Sequence, residues 1–313
     1  MTEQQSVSHK HMRMEKVKDW IFYISLVGIP LIQFIICYVG VNINSVLLSF
    51  KTYTSATDYR WGFENFQRIF SEAEWSTVLN SLTNSGIAFV ARVLVGMTLG
   101  LLFSYYIFKK MTGSNFFKVV LFLPTIVSQI VMVIVYRQFV DEALPEILGA
   151  SGELGLISQG KIDPTSNALF TVIIIYNIWV GFGTQVLMYL GAMNNISDGA
   201  LEACQIDGTN AVQEFIYIVF PGIFPTFMVF ITVNLTEFFT NQMALHAFFG
   251  VNELGNSKNY TLGYYMWREV GKANNNVTAL TYPSALGVLG TVIAVPVIFG
   301  IRKLLEIIGP KEV

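Results

Sequence analysis

"LEACQIDGTNAVQEFIYIVFPGIFP", Leu201 to Pro225, begins as an acidic, amide-rich turn and runs into an almost wholly apolar stretch. A second apolar stretch, near 168–192, precedes the turn, and no Lys or Arg lies between the two. Two long oily runs flanking a short polar turn are what a chain shows where it leaves and re-enters lipid. The composition agrees: 53% of the 313 residues are hydrophobic and 13% are charged, whereas soluble domains carry about 25% charged residues.

A helix needs about 20 apolar residues to cross the hydrocarbon core. Six segments pass that test, near 20–48, 79–108, 116–140, 168–192, 217–243 and 280–302. Lipid offers no partner for an open strand edge, and the alternating ten-residue segments of a β-barrel are missing. The predicted fold class is therefore all-α, a polytopic membrane protein with six transmembrane helices. The polar segment before the first span has no cleavage site of the secretory type, so that span is expected to stay attached.

Orientation follows from flanking basic residues. Lys10, Arg13, Lys16 and Lys18 precede the first span; Lys109, Lys110 and Lys118 surround the second turn; Arg302, Lys303 and Lys311 follow the last span. These sides are predicted cytoplasmic, giving tails at 1–19 and 304–313 around a membrane domain at 20–303. Longer loops at 49–78, 141–167 and 244–279 fall on the opposite side. The 193–216 loop is then cytoplasmic without a single positive charge, an exception to the rule that placed it there.

Local physics gives that loop a shape. Ser197 is a candidate N-cap, Asp198 favours the positive end of a helix dipole, and Gly208 supplies a left-handed stop. Asn210 and Gln213 have the spacing of a capping box for a second helix, which carries Ala211, Val212, Phe215, Ile216 and Val219 toward the membrane. Two short helices joined at a glycine bend, with Glu202 and Asp207 exposed, suit docking into a basic groove on another protein. A solvated connector reads equally well from these residues alone.

Other signals are weaker. Gly96 and Gly100 have helix-packing spacing. Arg92 and Arg137 lie inside spans, where a charge faces a bundle interior or snorkels to the interface. "GLISQGK", Gly155 to Lys161, begins like a nucleotide-binding loop but continues into Ile162, which lacks the hydroxyl that would hold Mg²⁺, and no strand precedes it. His9, His11 and His246 offer no zinc spacing. Cys37 and Cys204 fit neither a metal nor a disulfide pattern. Net charge is −2 with no basic patch, which argues against nucleic acid.

The 201–225 stretch resembles the EAA motif of bacterial ABC importer permeases, through Glu202, Ala203, Asp207, Gly208, Phe215, Ile218 and Pro221. It departs at Cys204, Thr209 and Phe220. "NIWVG" (177–181), "GFENFQRIF" (62–70) and "FFKVVLFLPTIVS" (116–128) are similar to segments of the carbohydrate-uptake, maltose and glycerol-phosphate type, so the resemblance runs from Trp20 to Lys303. It implies a type I importer transmembrane domain in a bacterial plasma membrane, with both termini cytoplasmic. It also implies a second permease subunit, two ATPase subunits docked on the 193–216 loop, an extracytoplasmic solute-binding protein and a carbohydrate substrate, probed first as an oligosaccharide. No cofactor belongs to this chain; ATP and Mg²⁺ would be bound by the ATPase partners. On that reading Glu202 pairs with a basic residue of the ATPase, Gly208 sets the bend and Asp207 holds the turn.

Polar groups at membrane depth mark a candidate substrate path: Asn177, Trp179 and Gly181 in the fourth span, and Asn234, Glu237 and Asn241 in the fifth. Asn234 and Asn241 are seven apart and share a helix face. Such residues also serve simply to bridge helices. Two further readings stay open: a permease for polyols or glycerol phosphate, whose anionic cargo would call on Arg92 or Arg137, and a polytopic membrane enzyme such as a glycosyl transferase, for which no acid cluster is visible.

Overall fold

The computed structural model describes residues 3–55, 58–147, 167–250, 257–273 and 276–310, and it is helical almost throughout. Helix α1 (Glu3–Gln33) continues through a π-helical segment, Phe34–Gly40, into α2 (Val41–Ser49). A hairpin of β1 (Lys51–Tyr53) and β2 (Tyr59–Trp61), with Lys51 opposite Trp61, leads to α3 (Glu64–Ile69). Asn65 of α3 is buried and donates to the carbonyls of Ser49 and Lys51, which pins the exit of the first span.

Helix α4 (Glu72–Ala91), a π-helical segment at Arg92–Met97 and α5 (Thr98–Phe108) form one continuous rod. After a tight turn come α6 (Ser114–Ile126), α7 (Gln129–Gln138) and α8 (Leu144–Ile147). Helix α9 (Asn167–Met193) returns to the end of the bundle that carries Lys109. There α10 (Asp198–Ile206) and α11 (Ala211–Glu214) make the polar turn before α12 (Phe220–Thr240) crosses again. Helices α13 (Leu245–Phe249) and α14 (Leu262–Lys272) cap the opposite end, and α15 (Thr281–Ile308) closes the bundle.

Among the described residues five stretches are long and apolar enough to cross a membrane: Lys18–Ser49, Glu72–Phe108, Leu169–Met193, Ala211–Phe249 and Val277–Ile308. The predicted span at 116–140 is not a straight helix. It breaks between α6 and α7 with a bend of 107°, because Val127 and Ser128, just after Pro124, leave the helical backbone region with ψ of 143° and 135°. The predicted loops at 49–78 and 244–279 are also more ordered than loops, holding the hairpin, α3, α13 and α14. The nucleotide-loop mimic at 155–161 lies outside the described residues.

The largest core sits at the end opposite Lys109, where Tyr176, Phe248, Tyr260, Tyr264, Tyr265 and Tyr282 are buried together. Their hydroxyls knit elements far apart in sequence: Tyr265 donates to Glu74 at 2.8 Å and meets the Tyr282 hydroxyl at 2.9 Å, while Glu74 pairs with Arg68. Small residues set the spacing between rods. A Cβ on Gly183 of α9 would lie 2.2 Å from the Leu121 carbonyl of α6, so these backbones touch only because that position is glycine. Gly96 and Gly100 face α9 as their spacing suggested.

Candidate functional site

The polar turn has the predicted shape. Ser197 caps α10 by accepting from the Ala200 N–H, and Asn210 and Gln213 complete a reciprocal capping box on α11. Gly208 has a φ of 68°, the left-handed region open to glycine. The stop around it is a two-bond cap: the Gly208 N–H donates to the Gln205 carbonyl at 3.2 Å and the Thr209 N–H to the Cys204 carbonyl at 3.1 Å. The Thr209 hydroxyl donates to the same Cys204 carbonyl at 2.9 Å. Cys204 and Thr209, the two departures from the motif in this turn, are thus partners of one another, and Cys204 is the buried residue of α10.

Glu202, Ala203, Asp207 and Gly208 are exposed along one outward surface, with Ile206 and Val212 beside them. Phe215 turns inward against Tyr105 of α5, their ring centroids 5.2 Å apart. Pro221 lies at the second position of α12, just after the π-helical segment Phe215–Val219 that joins α11 to α12.

An anchor that sequence reading did not single out holds this turn to the second span. Glu214, buried at the end of α11, receives Lys109 Nζ on both carboxylate oxygens at 2.9 Å. Tyr105 Oη adds bonds to Glu214 Oε1 and to the Ala211 carbonyl. The signal was present in outline: an acid opening an apolar helix with no base in its own loop, and a lysine in the neighbouring turn.

Toward the other end, a cavity of about 350 Å³ opens between the second, third, fourth and fifth spans. Asn177, Gly181, Asn234, Glu237 and Asn241 line it, joined by Gln129 at the α6–α7 break and by Thr184 and Gln185 of α9. Trp179 is not among them; it points to another face of α9 and packs near Tyr136. Arg92, on the π-helical segment, also lines the cavity and is held rather than snorkelling. It pairs with Glu237 at 2.5 Å and donates to Asn234 Oδ1 at 2.8 Å. Asn241 donates to Glu237 at 3.0 Å. Asn177 donates to the carbonyls of Ile173 and Met243, and Asn234 to that of Phe230, so both amides bridge backbone while facing the cavity. Arg137 lies apart, donating to the Phe248 carbonyl.

A larger groove, about 610 Å³, lies between α12 and α15 at the Lys109 end, but its walls are chiefly proline, phenylalanine and aliphatic groups. The smaller cavity is the better ligand site because polar groups converge on it. Buried Gln185 Oε1 and Arg92 Nε there have no hydrogen-bond partner among the described residues, a cost that a hydroxylated ligand or water would relieve. Among the described residues no group of His, Cys, Asp or Glu has metal-site geometry.

Comparison with known proteins supplies the family. The family model described as "Binding-protein-dependent transport system inner membrane component" matches residues 92–311. The chain is 24% identical over 263 residues to the arabinooligosaccharides transport system permease protein AraP of Halalkalibacterium halodurans, covering 83% of this chain and 79% of the relative. It is 28% identical over 171 residues to the maltose/maltodextrin transport system permease protein MalF of Klebsiella aerogenes, covering 51% of this chain and 31% of that one. A crystal structure of a bacterial alginate ABC transporter in complex with an alginate pentasaccharide-bound periplasmic protein contains a chain that superposes with a TM-score of 0.74 at 20% identity, covering 96% of this chain and 99% of that one.

Proposed function

The chain belongs to the inner membrane components of binding-protein-dependent transport systems, a transport component rather than an enzyme, and from that premise we propose that it conducts a carbohydrate, an oligosaccharide, into a bacterial cell. The observation that carries the substrate class is the cavity at membrane depth, where Asn177, Gln129, Thr184, Gln185 and Asn241 present amide and hydroxyl groups suited to sugar hydroxyls. Its volume falls within the roughly 300–1,000 Å³ of small-molecule sites. The names of the relatives, transporters of arabinooligosaccharides and maltodextrins, support the same class.

In this reading an extracytoplasmic solute-binding protein delivers the sugar at the end capped by α13 and α14, and both termini lie in the cytoplasm with the 193–216 turn. Two ATPase subunits dock there, one on this chain and one on a second permease subunit that completes the pathway. Glu202 meets a basic residue of the ATPase, while Gly208 fixes the angle at which α10 is presented. Phe215 and Pro221 carry movement of the turn into α12. Nucleotide and Mg²⁺ belong to the ATPase. The long apolar faces of the first span, exposed along their length, are left for lipid and the second permease.

The test is to purify the assembled complex from its native host, identify its chains by mass, and screen the co-purifying binding protein against neutral and acidic oligosaccharides. A second permease, an ATPase and a saccharide ligand are the expected result. A complex without an ATPase, or a binding protein that takes only non-sugar solutes, overturns the proposal.

A further inference from the structure

We infer that Glu237 is a charge filter: paired with Arg92, it makes the cavity accept neutral saccharides and disfavour acidic ones, and its carboxylate is the residue that sets this preference. The inference rests on the saccharide reading and adds to it the electrical class of the substrate.

An arginine lining a cavity would ordinarily recruit an anion. Here the guanidinium is already engaged: Nη1 meets Glu237 at 2.5 Å and Nη2 donates to Asn234 at 2.8 Å. The two charges are also unequally presented. The Arg92 side chain is 13% exposed and that of Glu237 is 40% exposed, so the carboxylate is the charge that an entering ligand meets. Asn241, donating to the same carboxylate, holds it toward the cavity. The remaining polar lining, from Gln129, Asn177, Thr184 and Gln185, is uncharged. A sugar hydroxyl can donate to Glu237 without disturbing the pair. A uronate or phosphate must either lie against a like charge in a poorly hydrated site or displace Glu237 from Arg92, leaving a charge unpaired in both cases.

The same geometry says what removal of the charge does. In Glu237→Gln the side chain keeps its shape, the repulsion is gone, and Arg92 regains unused donors at Nη1, in addition to its partnerless buried Nε. The cavity then carries a net positive charge beside an otherwise unchanged lining.

The experiment uses the intact complex in nanodiscs without binding protein, so that only the membrane site is read. Maltotriose, xylotriose and arabinotriose serve as neutral probes and trigalacturonate as the acidic one, with apparent affinities from saturation-transfer NMR titrations. The wild-type complex is expected to bind a neutral trisaccharide and to hold trigalacturonate at least roughly tenfold more weakly, a factor of one charge-assisted contact. Glu237→Gln closes that gap by roughly tenfold, and the double variant Arg92→Gln/Glu237→Gln gives back only the part of the gain that the freed guanidinium supplies, keeping the part that comes from the lost repulsion. A wild-type complex that binds trigalacturonate as tightly as the neutral probes overturns the filter without any variant being needed. So does a gap that Glu237→Gln leaves unchanged, and in either case the saccharide reading stands. Failure of every trisaccharide to bind wild type removes the saccharide reading and the filter with it.

Discussion

Removal of Lys109 should detach the 211–219 segment from the second span. Glu214 is 5% exposed in its side chain and Lys109 is 32% exposed, so the pair is buried on the acid's side and half open on the base's. Breaking a fully buried pair costs about 3–5 kcal/mol, and partial exposure of Lys109 reduces this. The Tyr105 hydroxyl, still bonded to Glu214 at 3.2 Å, retains part of the remainder. About 2 kcal/mol is left for Lys109→Met, since hydrogen bonds to a charged group are worth about 1.5–3 kcal/mol each. That is roughly a thirtyfold increase in the population of the detached state. Hydrogen exchange of the amides from Ala211 to Val219 in the assembled complex reads this population directly, and it should quicken there while the rest of α12 is unchanged. Sugar transported per ATP hydrolysed should fall in parallel. The double variant Lys109→Met/Glu214→Met should restore protection, because two apolar groups of similar length leave no charge stranded. Exchange at 211–219 that is unaltered in Lys109→Met, or a double variant no better than the single, refutes the reasoning.

Gly208→Leu should insert and assemble but lose most uptake while ATP hydrolysis continues, because a branched side chain at a φ of 68° costs about 1–2 kcal/mol and shifts the bend; nothing lies within 4 Å of the added Cβ, so unchanged uptake would show that the bend does not matter. Gly183→Ala should lower the melting temperature of the complex by a loss of about 1–3 kcal/mol, since its Cβ has no room against α6. Gly181→Ala, two residues away with nothing within 4 Å, should not; equal effects of the two would contradict the close approach of α6 and α9. Asn177→Ala and Asn234→Ala should each reduce uptake in a complex that still assembles, measured as radiolabelled sugar accumulated per complex, and normal transport by both would mean that these amides serve only to bridge helices.

What could be read in the sequence was whatever depends on neighbours along the chain. Span length, the caps at Ser197 and Asn210 and the left-handed stop at Gly208 are local, and the helices obey them. The bend at Val127 and Ser128 escaped because hydropathy counts apolar residues and is blind to their direction; Pro124 marked the place without giving the 107°. The cavity was half legible. Four polar residues at membrane depth and Gly181 named five of its walls, but not Gln129, Thr184 or Gln185, whose polarity is unremarkable until three other helices surround it. Trp179 was included for its chemistry, yet it lies on the other side of α9: two residues from both Asn177 and Gly181, it is about 200° around the helix from each and so away from the face they share. Both ion pairs that matter join residues more than a hundred positions apart, beyond any local pattern.

Those two pairs share an arrangement that bears on how the turn and the cavity communicate. In each the base belongs to the second span and the acid to the fifth: Arg92 with Glu237, and Lys109 with Glu214. At 1.5 Å per residue the bases are separated by about 25 Å and the acids by about 35 Å, so two long rods are fastened together at the Lys109 end and again midway along the second span. The fastening at one end lies beside the surface proposed for ATPase docking, and the other forms a wall of the cavity. Rods joined in this way shift together more readily than they shear, because shear must break a charge-assisted contact at both places. On this arrangement a displacement imposed on α10 and α11 is expected to reach Glu237 as a change in position relative to α9 and Gln129, rather than being absorbed between the second and fifth spans. Loosening the lower fastening should then weaken the response of the cavity to nucleotide. In Lys109→Met, the difference in trisaccharide affinity between the ATP-bound and nucleotide-free complex should shrink, and an undiminished difference would show that movement reaches the cavity by another route.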